Sequence, residues 1–537
     1  MSQLAQIENK QFLGNKFYFL KLFFLIISLL NYSQEIKQIE IIYAGSFDRD
    51  ENIYPDGNIL KKDKDRKVHL KHEDMNIFSN KSIFFQKNNS VISVGDVFIN
   101  QGDTLKLYCD SLNYNGKIKK MYAHGNVKLI NNEMKLESKN LELDRVKNEA
   151  FFYDEGKIID SLSEITSKNG KYFIDLKKYV FNNNVVVKDQ DRIIKSEMMD
   201  YFLDNEKTIF YKRTSIYGDE YTVRCNSGYY EPRSKTGVFK NSARIDFDTR
   251  EIYGDSIFFN EEKEYSSITN NVKIVDSKEN LVLKGEFAEF FKKNDSAIIT
   301  KNPIAINILR NDSLLIKADT LISIGEENTR KMRGINNVRF VQGKLSGKSD
   351  YIQVDKKLGL TTMLRKKISE RDLQILTESE INLKNPVIWD NYTQMTGDKI
   401  IFTEDLNTNE LDSIKITNNV FIIEKDTIGN SQFNQIKGLK LKGGFNKNKI
   451  DRVKIDQNSE LIYYMYDEDL NLIGIDKAIA SSIIIYFKNQ GMDQITFITN
   501  PEGILYPEEF LNNNETYLNG FINREKEKIG KKDILVD

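Results

Sequence analysis

Residues 125–129 read Gly-Asn-Val-Lys-Leu, and residues 136–143 read Leu-Glu-Ser-Lys-Asn-Leu-Glu-Leu. Apolar and polar side chains alternate in both segments, which is the pattern of a strand with one buried face and one solvated face. Apolar residues do not recur at the i, i+3, i+4 spacing of a helix over any useful length. The two segments therefore predict short strands that are separated by turns containing Asn, Asp and Gly.

The same unit recurs along most of the chain. A turn-like pair precedes a β-branched residue at Gly95-Asp96-Val97, Gly125-Asn126-Val127, Asn183-Asn184-Val185, Asn270-Asn271-Val272, Asn336-Asn337-Val338 and Asn418-Asn419-Val420. The Val residues of the first four copies are separated by 30, 58 and 87 residues, close to multiples of 29. A single hairpin cannot bury its own apolar face, whereas stacked hairpins can. The sequence therefore predicts an all-β fold, an elongated repeat array of roughly a dozen short hairpins.

The predicted organisation of the chain follows this repeat. Residues 1–33 are assigned to a signal peptide, 34–180 to an N-terminal β domain, 181–335 to central β repeats, 336–440 to further β repeats, 441–525 to a C-terminal β region and 526–537 to a charged tail. A short helix is predicted after Pro507, and the mixed charges from Arg524 to Lys532 predict a solvated, frayed tail.

The composition excludes several classes of protein. The 537 residues carry 78 Lys and Arg against 79 Asp and Glu, a formal net charge of −1. This balance argues against a nucleic-acid-binding protein, whose affinity depends on positive charge. Hydrophobic residues make up 40% and there are only 6 Pro, so most of the chain is expected to fold. The 32 Phe and 26 Tyr favour strands over helices.

The N-terminus predicts export. Residues 17–30 read Phe-Tyr-Phe-Leu-Lys-Leu-Phe-Phe-Leu-Ile-Ile-Ser-Leu-Leu, with Lys10 and Lys16 before them and small or polar residues after them. A charged segment, a short apolar run and a small-residue exit are typical of a secretory signal peptide. The run is shorter than the roughly 20 apolar residues of a membrane-spanning helix. An uncleaved anchor of the same length is the alternative interpretation.

The chain contains few residues of the types that commonly carry out catalysis. The chain has three His, and no Gly-rich phosphate-binding signature occurs. His69 and His72 point to opposite faces of a strand, so we expect surface residues and no metal site. His124 precedes a repeat turn and lacks an identifiable Ser or Cys partner. The sequence therefore predicts a protein that is not an enzyme and that has no catalytic residue, metal or cofactor.

Carboxylates recur at related positions of the units. They are Asp103, Asp110, Asp255, Asp319 and Asp398. Such carboxylates could form a glycosidase pair or bind Ca²⁺. Structural repetition explains them better, as residues that hydrogen-bond the backbone near turns and strand ends.

The two Cys residues have two interpretations. Cys109 and Cys225 could form a disulfide in an oxidising compartment. The favoured alternative is that they are two buried small hydrophobic residues.

Several motifs carry a resemblance to a known family. They are Gln101-Gly102-Asp103-Thr104-Leu105, Cys109-Asp110-Ser111-Leu112-Asn113-Tyr114, Thr166-Ser167-Lys168-Asn169-Gly170-Lys171-Tyr172, Ala318-Asp319-Thr320-Leu321, Pro501-Glu502-Gly503-Ile504-Leu505-Tyr506-Pro507 and Leu518-Asn519-Gly520-Phe521. In order and spacing over residues 36–525, they resemble the OstA-like family, which includes LptA-type periplasmic lipopolysaccharide carriers and the N-terminal domain of the outer-membrane lipopolysaccharide translocon. The long OstA-like proteins of Bacteroidetes-type bacteria are the more similar group.

The resemblance implies a fold, a place and partners. The fold would be a slot-shaped β-jellyroll with an apolar trough for acyl chains, located in the periplasm and peripheral to the outer membrane. Exposed terminal strands would pair with other lipopolysaccharide-transport proteins or with a second copy. The charged alternate faces and short strands predict a chain without the membrane barrel of the translocon. Lipopolysaccharide or a related glycolipid would be the ligand, and no nucleic acid is expected.

Candidate lipid-binding residues are the inward-alternating positions of the most regular units. They are Val97, Ile99, Leu107, Val127, Leu129, Leu141, Leu143, Val185 and Val187. In a closed stack these residues would form only a packed core, whereas in an open slot they would contact acyl chains. The sequence does not distinguish a packed core from an open slot. Lys106 and Lys128 could meet lipid phosphates, although ordinary solvated charge explains them as well. The leading hypothesis is a lipid conduit; an exported scaffold is the second, and a carbohydrate-active enzyme is the weakest.

Overall fold

The computed structural model describes residues 37–536 except 103, 132–133, 161–162, 190, 310–311, 327–328, 409, 430–431, 489–490 and 512–514. The predicted signal peptide lies outside the described residues. The chain divides into two compact units, residues 1–187 and 188–537, and each unit is described by itself. No helix among the described residues is long and apolar enough to cross a membrane.

The first unit consists of antiparallel strands. They are β1 Glu40–Tyr43, β2 Ser46–Arg49, β3 Asn58–Lys61, β4 Val68–His72, β5 Met75–Ser79, β6 Lys81–Phe85, β7 Ser90–Gln101, β8 Leu105–Asn115, β9 Lys120–Asn131, β10 Met134–Asp144, β11 Glu149–Ile159, β12 Glu164–Ser167, β13 Asn169–Phe173 and β14 Lys178–Lys188, the last of which ends at the boundary.

The second unit continues the same pattern. Its strands are β15 Ile193–Phe202, β16 Thr208–Phe210, β17 Thr214–Tyr217, β18 Tyr221–Cys225, β19 Ser227–Glu231, β20 Thr236–Phe247, β21 Arg250–Asn260, β22 Tyr265–Asp276, β23 Leu281–Phe291, β24 Ser296–Thr300, β25 Ile304–Ile308, β26 Ser313–Lys317, β27 Thr320–Ile324, β28 Lys331–Gln342, β29 Leu345–Asp355, β30 Leu360–Leu364, β31 Val387–Asp390, β32 Thr393–Thr396, β33 Lys399–Glu404, β34 Leu411–Lys425, β35 Phe433–Asn446, β36 Lys449–Tyr466, β37 Leu472–Lys488, β38 Gly491–Ile498 and β39 Glu502–Pro507. Its helices are α1 Glu370–Ile375, α2 Glu378–Leu383 and α3 Lys531–Leu535, with single 3-10 turns at Lys292–Asn294, Glu508–Phe510 and Glu525–Glu527.

The recurring residue pairs lie inside strands and do not end them. Gly125 and Asn126 are in the middle of β9, with φ of +74° and +46°. The neighbouring strand continues past the pair, with Val127 opposite Ser138 and His124 opposite Asn140. The prediction that these pairs are turns between short strands was therefore wrong. Each pair bends a long strand, and Gly, Asn or Asp occupies it because these residues adopt positive φ at low cost.

Each bend divides a strand into two halves, which we call arms. The arms form two antiparallel ladders, and each arm pairs with arms of its own ladder. In the first unit, ladder A contains residues 81–85, 90–94, 111–115, 120–124, 140–144, 149–153, 169–173 and 178–182. Ladder B contains residues 68–72, 75–79, 97–101, 105–109, 127–131, 134–138, 156–159 and 164–167. We call the side with the bends the bend edge, and the side where the hairpin turns of both ladders meet the mouth.

Small residues stand opposite the first residue after each bend. Cys109 faces Val97, Ser138 faces Val127 and Gly285 faces Val272. A Cβ on Gly285 would lie 2.5 Å from the Ile299 side chain, so the bend leaves little room at this position. Cys109 is therefore a small buried residue, as the favoured interpretation predicted. Burial raises the pKa of the Cys109 and Cys225 thiols to about 12, so both stay protonated.

Two short helices interrupt the second unit, and the sequence analysis missed both. The Ser369 hydroxyl accepts a hydrogen bond from the Asp372 amide at the start of α1. Thr377 and Glu380 form a reciprocal capping box at the start of α2. The Thr-Glu-Ser-Glu sequence at 377–380 is the signal that would have located the second helix.

The C-terminal segment packs against the second unit along its length. We call residues 515–536 the strap. In the second unit, ladder A is the set of arms that contains residues 265–269, 287–291, 331–335, 351–355 and 399–404, and ladder B is the set that contains residues 272–276, 281–285, 304–308, 313–317, 338–342, 420–425 and 459–466. The strap crosses the outer face of this ladder B, where Leu518 joins a cluster with Ile423 and Ile462, and Ile534 joins one with Leu315. The prediction of a solvated, frayed tail was wrong because its few apolar residues match apolar positions on this face.

Two buried glutamines fix the strap backbone. The Gln435 side chain donates to the Thr516 carbonyl at 2.8 Å and accepts from the Leu518 amide at 2.9 Å. Gln394 makes the same pair of bonds to the Ile522 carbonyl and the Arg524 amide, at 2.9 and 2.7 Å. Because the bonds satisfy backbone groups in both directions, the strap has a defined register on the sheet.

The strap is expected to detach in acid. Hydrogen bonds from Arg524 and Lys348 lower the pKa of Glu527 from 4.5 to about 2. A lowered folded-state pKa means that the stabilisation is complete above pH 4.5 and is lost as the pH falls towards 2. Hydrogen exchange of residues 515–536 between pH 5 and 2 should show this loss, and Glu527→Gln should flatten it. An unchanged profile in Glu527→Gln, or the same flattening in the exposed neighbour Glu525→Gln, would contradict the assignment.

Candidate functional site: the interior and its mouth

The predicted lipid-binding residues all lie in the interior of the first unit. Val97, Ile99, Leu107, Val127, Leu129, Leu141, Leu143, Val185 and Val187 are each exposed by 3% or less. The ladder registers place Ile99, Leu107 and Leu129 directly beside one another on adjacent arms. The same row continues through Leu136, Ile158 and Ile165, which the prediction did not include.

A second apolar row lies in ladder A. Its members in register are Val91, Tyr114, Met121, Leu143, Ala150, Tyr172 and Tyr179. The rings of Tyr172 and Tyr179 are stacked, with their centroids 4.3 Å apart. The Tyr179 hydroxyl lies 3.0 Å from the Met134 sulfur, so the two ladders touch across the interior. The interior is thus a continuous apolar layer between two ladders.

Ion pairs close the mouth of the first unit. Lys119 lies on a ladder A turn and contacts Glu73 of a ladder B turn at 2.7 Å. Arg145, on the next ladder A turn, contacts Asp74 at 2.6 Å and Gln101 at 3.1 Å, and its side chain is only 5% exposed. The hydrogen bond from Lys119 lowers the pKa of Glu73. Non-covalent side-chain contacts between the described turns therefore join the two ladders at this edge, in contrast to the covalent bends.

His72 is buried at the mouth, which corrects the prediction of a surface residue. Its Nε2 donates to the Lys37 carbonyl at 2.9 Å, and its Nδ1 lies 2.6 Å from the Tyr114 hydroxyl. Burial lowers the pKa of His72, so the neutral ring accepts from Tyr114, which in turn accepts from Arg145 at 3.1 Å. His72 points inward because strand pairing sets its face, and its polar atoms are satisfied.

Arg145 is expected to stabilise the closed mouth. Replacing it with Met removes hydrogen bonds to Asp74, Gln101 and Tyr114, which we expect to cost about 1–2 kcal/mol of unfolding free energy. Lys147→Met on the same turn is the control, since that side chain is exposed. Urea unfolding of both variants makes the comparison; equal midpoints would show that Arg145 contributes nothing to closure.

The second unit closes its mouth in the same way. Arg250 contacts Asp276 at 3.1 Å and Asp295 at 2.6 Å, and Arg330 contacts both carboxylates at 3.1 Å. Burial raises the pKa of Asp276, but the Glu279 amide and the two guanidinium groups lower it more, so the pKa lies below its ordinary value. Lys356 also pairs with Glu279 across the mouth.

The recurring carboxylates belong to the bend edge. Asp110, Asp255, Asp319 and Asp398 each accept a hydrogen bond from the amide of a bend asparagine at 2.9 Å: Asn126, Asn271, Asn337 and Asn419 respectively. Asp103 lies outside the described residues. No group of His, Cys, Asp and Glu that could hold a metal occurs in the described part of the chain. The separation of 16 to 21 residues between each Asp and its Asn is the sequence signal for these bends.

The two candidate phosphate-binding lysines lie at different edges. Lys128 lines a depression beside the bends, together with Lys139 and Glu137. Lys106 is exposed near the mouth end of its arm. The structure therefore does not bring the two lysines together.

The outermost strands of the described ladders are exposed. In the first unit, β1 pairs with β4 and β2 pairs with β3, and Phe47 of β2 is 60% exposed. In the second unit, β38 and β39 pair with β37, and Ile504 of β39 is 59% exposed. Each pair of edge strands presents backbone groups of both ladders.

Part of the chain matches a known protein family. Residues 37–197 match the model of a family described as OstA-like protein. We call residues 37–197 the OstA-like segment after this match. The structure of LptH, described as the LptA homologous periplasmic component of the conserved lipopolysaccharide transport device from Pseudomonas aeruginosa, is 12% identical, with a TM-score of 0.20. The match covers 22% of this chain and 85% of that one. No curated protein matches the chain.

The OstA-like segment contains both apolar rows described above. It begins at the described N-terminus and includes every bend of the first unit. The predicted all-β array of hairpins is confirmed, apart from the turn assignment corrected above. The predicted site residues all fall within the OstA-like segment.

Proposed function

We propose that this protein is a periplasmic, lipid-binding component of lipopolysaccharide transport and outer-membrane assembly. Acyl chains of lipopolysaccharide or a related glycolipid would lie between ladders A and B, with the sugars outside. The supporting observation is the pair of apolar rows that runs across strands β7 to β14 of the OstA-like segment. The chemistry is burial of acyl surface and needs no covalent step.

Loading requires the mouth to open. The bends join the ladders covalently, whereas ion pairs such as Lys119–Glu73 join them at the mouth. A partly exposed ion pair of this kind contributes on the order of 1 kcal/mol. Each acyl methylene removed from water contributes about 0.8 kcal/mol. A chain of several methylenes therefore offsets the loss of these contacts, and the ladders would separate about the bend edge.

The exposed edge strands supply the partners in this proposal. An unpaired strand edge is a template for addition of another strand. Pairing of β1 and β2, or of β38 and β39, with another transport protein or a second copy would extend both ladders together. The apolar interior would then continue from one protein into the next.

One observation favours a second function. The interior residues are exposed by 3% or less, so the described conformation has no vacant trough among them. A packed interior of this kind also fits an exported scaffold that binds envelope proteins and carries no lipid. The two functions differ in whether lipid ever reaches the interior.

Photo-leucine labelling distinguishes the two functions. The diazirine analogue is close in size to leucine, whereas Asp at Leu129 or Leu141 would place a charge in a packed core and unfold it. After incubation of the full chain with lipopolysaccharide and irradiation, adducts at Leu107, Leu129 and Leu141 would support the conduit. Leu176 is 65% exposed and reports adventitious contact. Adducts only at exposed leucines such as Leu176 would favour the scaffold.

A further inference from the structure

A cavity of about 270 Å³ opens at the mouth of the second unit. Residues 278–281 and 307–309 of ladder B form one side, and residues 330–332, 354–356 and 404–406 of ladder A form the other. Its apolar lining consists of Leu281, Ile308, Leu309, Leu314, Met332, Val354 and Leu406. The cavity therefore lies between the two ladders, on the side that closes through side chains.

Two sets of contacts lie beside the cavity: an ion pair between the two ladders and contacts from the strap. On one side Lys356 of ladder A pairs with Glu279 of ladder B. On the other side Asp312, at the end of the β25–β26 hairpin, pairs with Lys531 of the strap at 3.0 Å. Strap residues Ile529 and Ile534 hold the outer face of the same hairpin. The strap thus holds this hairpin from its outer face.

The rim of the cavity exposes apolar surface. Ile308 is 53% exposed and Leu406 is 61% exposed. Covering such surface contributes about 25 cal/mol per Å². Lys278 and Lys356 also line the cavity, with Lys356 held in its ion pair with Glu279, and burial raises the pKa of Glu404 in the lining, which favours its uncharged form. The combination of an apolar pocket and basic rim residues suits an amphiphile with an anionic headgroup.

We propose that this cavity is a lateral port that takes the end of one acyl chain, with the anionic headgroup outside near Lys278 and Lys356. The proposal rests on the lipid-carrying function and adds a location to it. The chain end fills the pocket and covers Ile308 and Leu406. Further insertion then requires the Lys356–Glu279 pair to separate, which connects the port to the interior of the second unit.

Binding of dansyl-undecanoic acid to the full chain tests the port. Leu406→Asp and Ile308→Asp place a charge on the rim, and because both side chains are largely exposed the fold should be retained. We expect each to weaken probe binding at least about tenfold, which corresponds to roughly 1.4 kcal/mol. Leu358→Asp is the matched control, since Leu358 is 58% exposed on a neighbouring mouth turn and does not line the cavity.

The outcomes separate this inference from the proposed function. Unchanged binding in Leu406→Asp and Ile308→Asp, with photo-leucine adducts retained at Leu141, would overturn the port and leave the conduit standing. Equal losses in Leu358→Asp would also overturn it. Displacement of the probe by lipopolysaccharide or by anionic phospholipid vesicles supports the port and identifies the source of the acyl chain. Displacement by neither overturns it.

Discussion

Replacing Phe152 with Ala is expected to destabilise the first unit by about 3–5 kcal/mol. Phe152 is fully buried in ladder A, and its ring lies between Gly156 and Gly170. A Cβ on Gly170 would come within 2.3 Å of the ring, so residue 170 has to be a glycine for the aromatic side chain to fit. Urea unfolding of the full chain measures the change.

The contact between Phe152 and Gly170 also predicts that the effect of Gly170→Ala on the unfolding free energy depends on residue 152. Gly170→Ala alone should overpack the site and cost about 1–3 kcal/mol. In the Phe152→Ala background the added methyl group enters the space that the ring has left, so Gly170→Ala should be neutral or stabilising. Gly444→Ala is the control, because no atom lies within 4 Å of its Cβ position. Equal costs of Gly170→Ala in both backgrounds would contradict the proposed contact.

Replacing Ile534 with Asp is expected to detach the end of the strap. Ile534 is fully buried against Ile304, Leu315 and Val341, and a charged carboxylate there has no partner. Burying an unpaired polar group costs roughly 2–4 kcal/mol, so the segment should leave the sheet in preference to burying the charge. Hydrogen exchange of residues 525–536 should accelerate, and apolar-dye binding should rise as Leu315 and Val341 become exposed.

The adjacent residue supplies the control for this experiment. Leu535 is 51% exposed, so Leu535→Asp introduces the same charge one position later without burying it. Hydrogen exchange in Leu535→Asp should match the unmodified chain. If both variants exchange alike, the docking of α3 does not depend on Ile534, and the role assigned to the strap is wrong.

The interior positions were predictable because strand alternation is local. Val127 and Leu129 flank Lys128, and a period of two residues places both on one face in any sheet. Cys109 is two residues from Leu107 and therefore lies on the same inward face. Ile158 and Ile165 of the apolar row belong to units with weaker motifs, which explains their omission from the predicted site.

One stretch of sequence indicated that a further segment covers the sheet where the strap docks. Residues 420–423 read Val-Phe-Ile-Ile, and all four are buried. A continuous apolar run indicates a strand covered on both faces, whereas an alternating run indicates one covered face. What covers the second face was not readable, because the strap contributes only a few widely spaced apolar residues such as Leu518 and Ile534.

The sequence by itself determined the strands, their inward faces and the residue pairs with positive φ, since each depends on neighbours along the chain. Whether a pair such as Gly125-Asn126 reverses the chain or bends it was decided only by the tertiary structure. A tight hairpin turn also uses two residues with positive φ, so the local signal is the same. The continuous partner strand across the bend, the ion pairs of the mouth and the docking of the strap join residues distant in sequence, and only the folded chain brings them together.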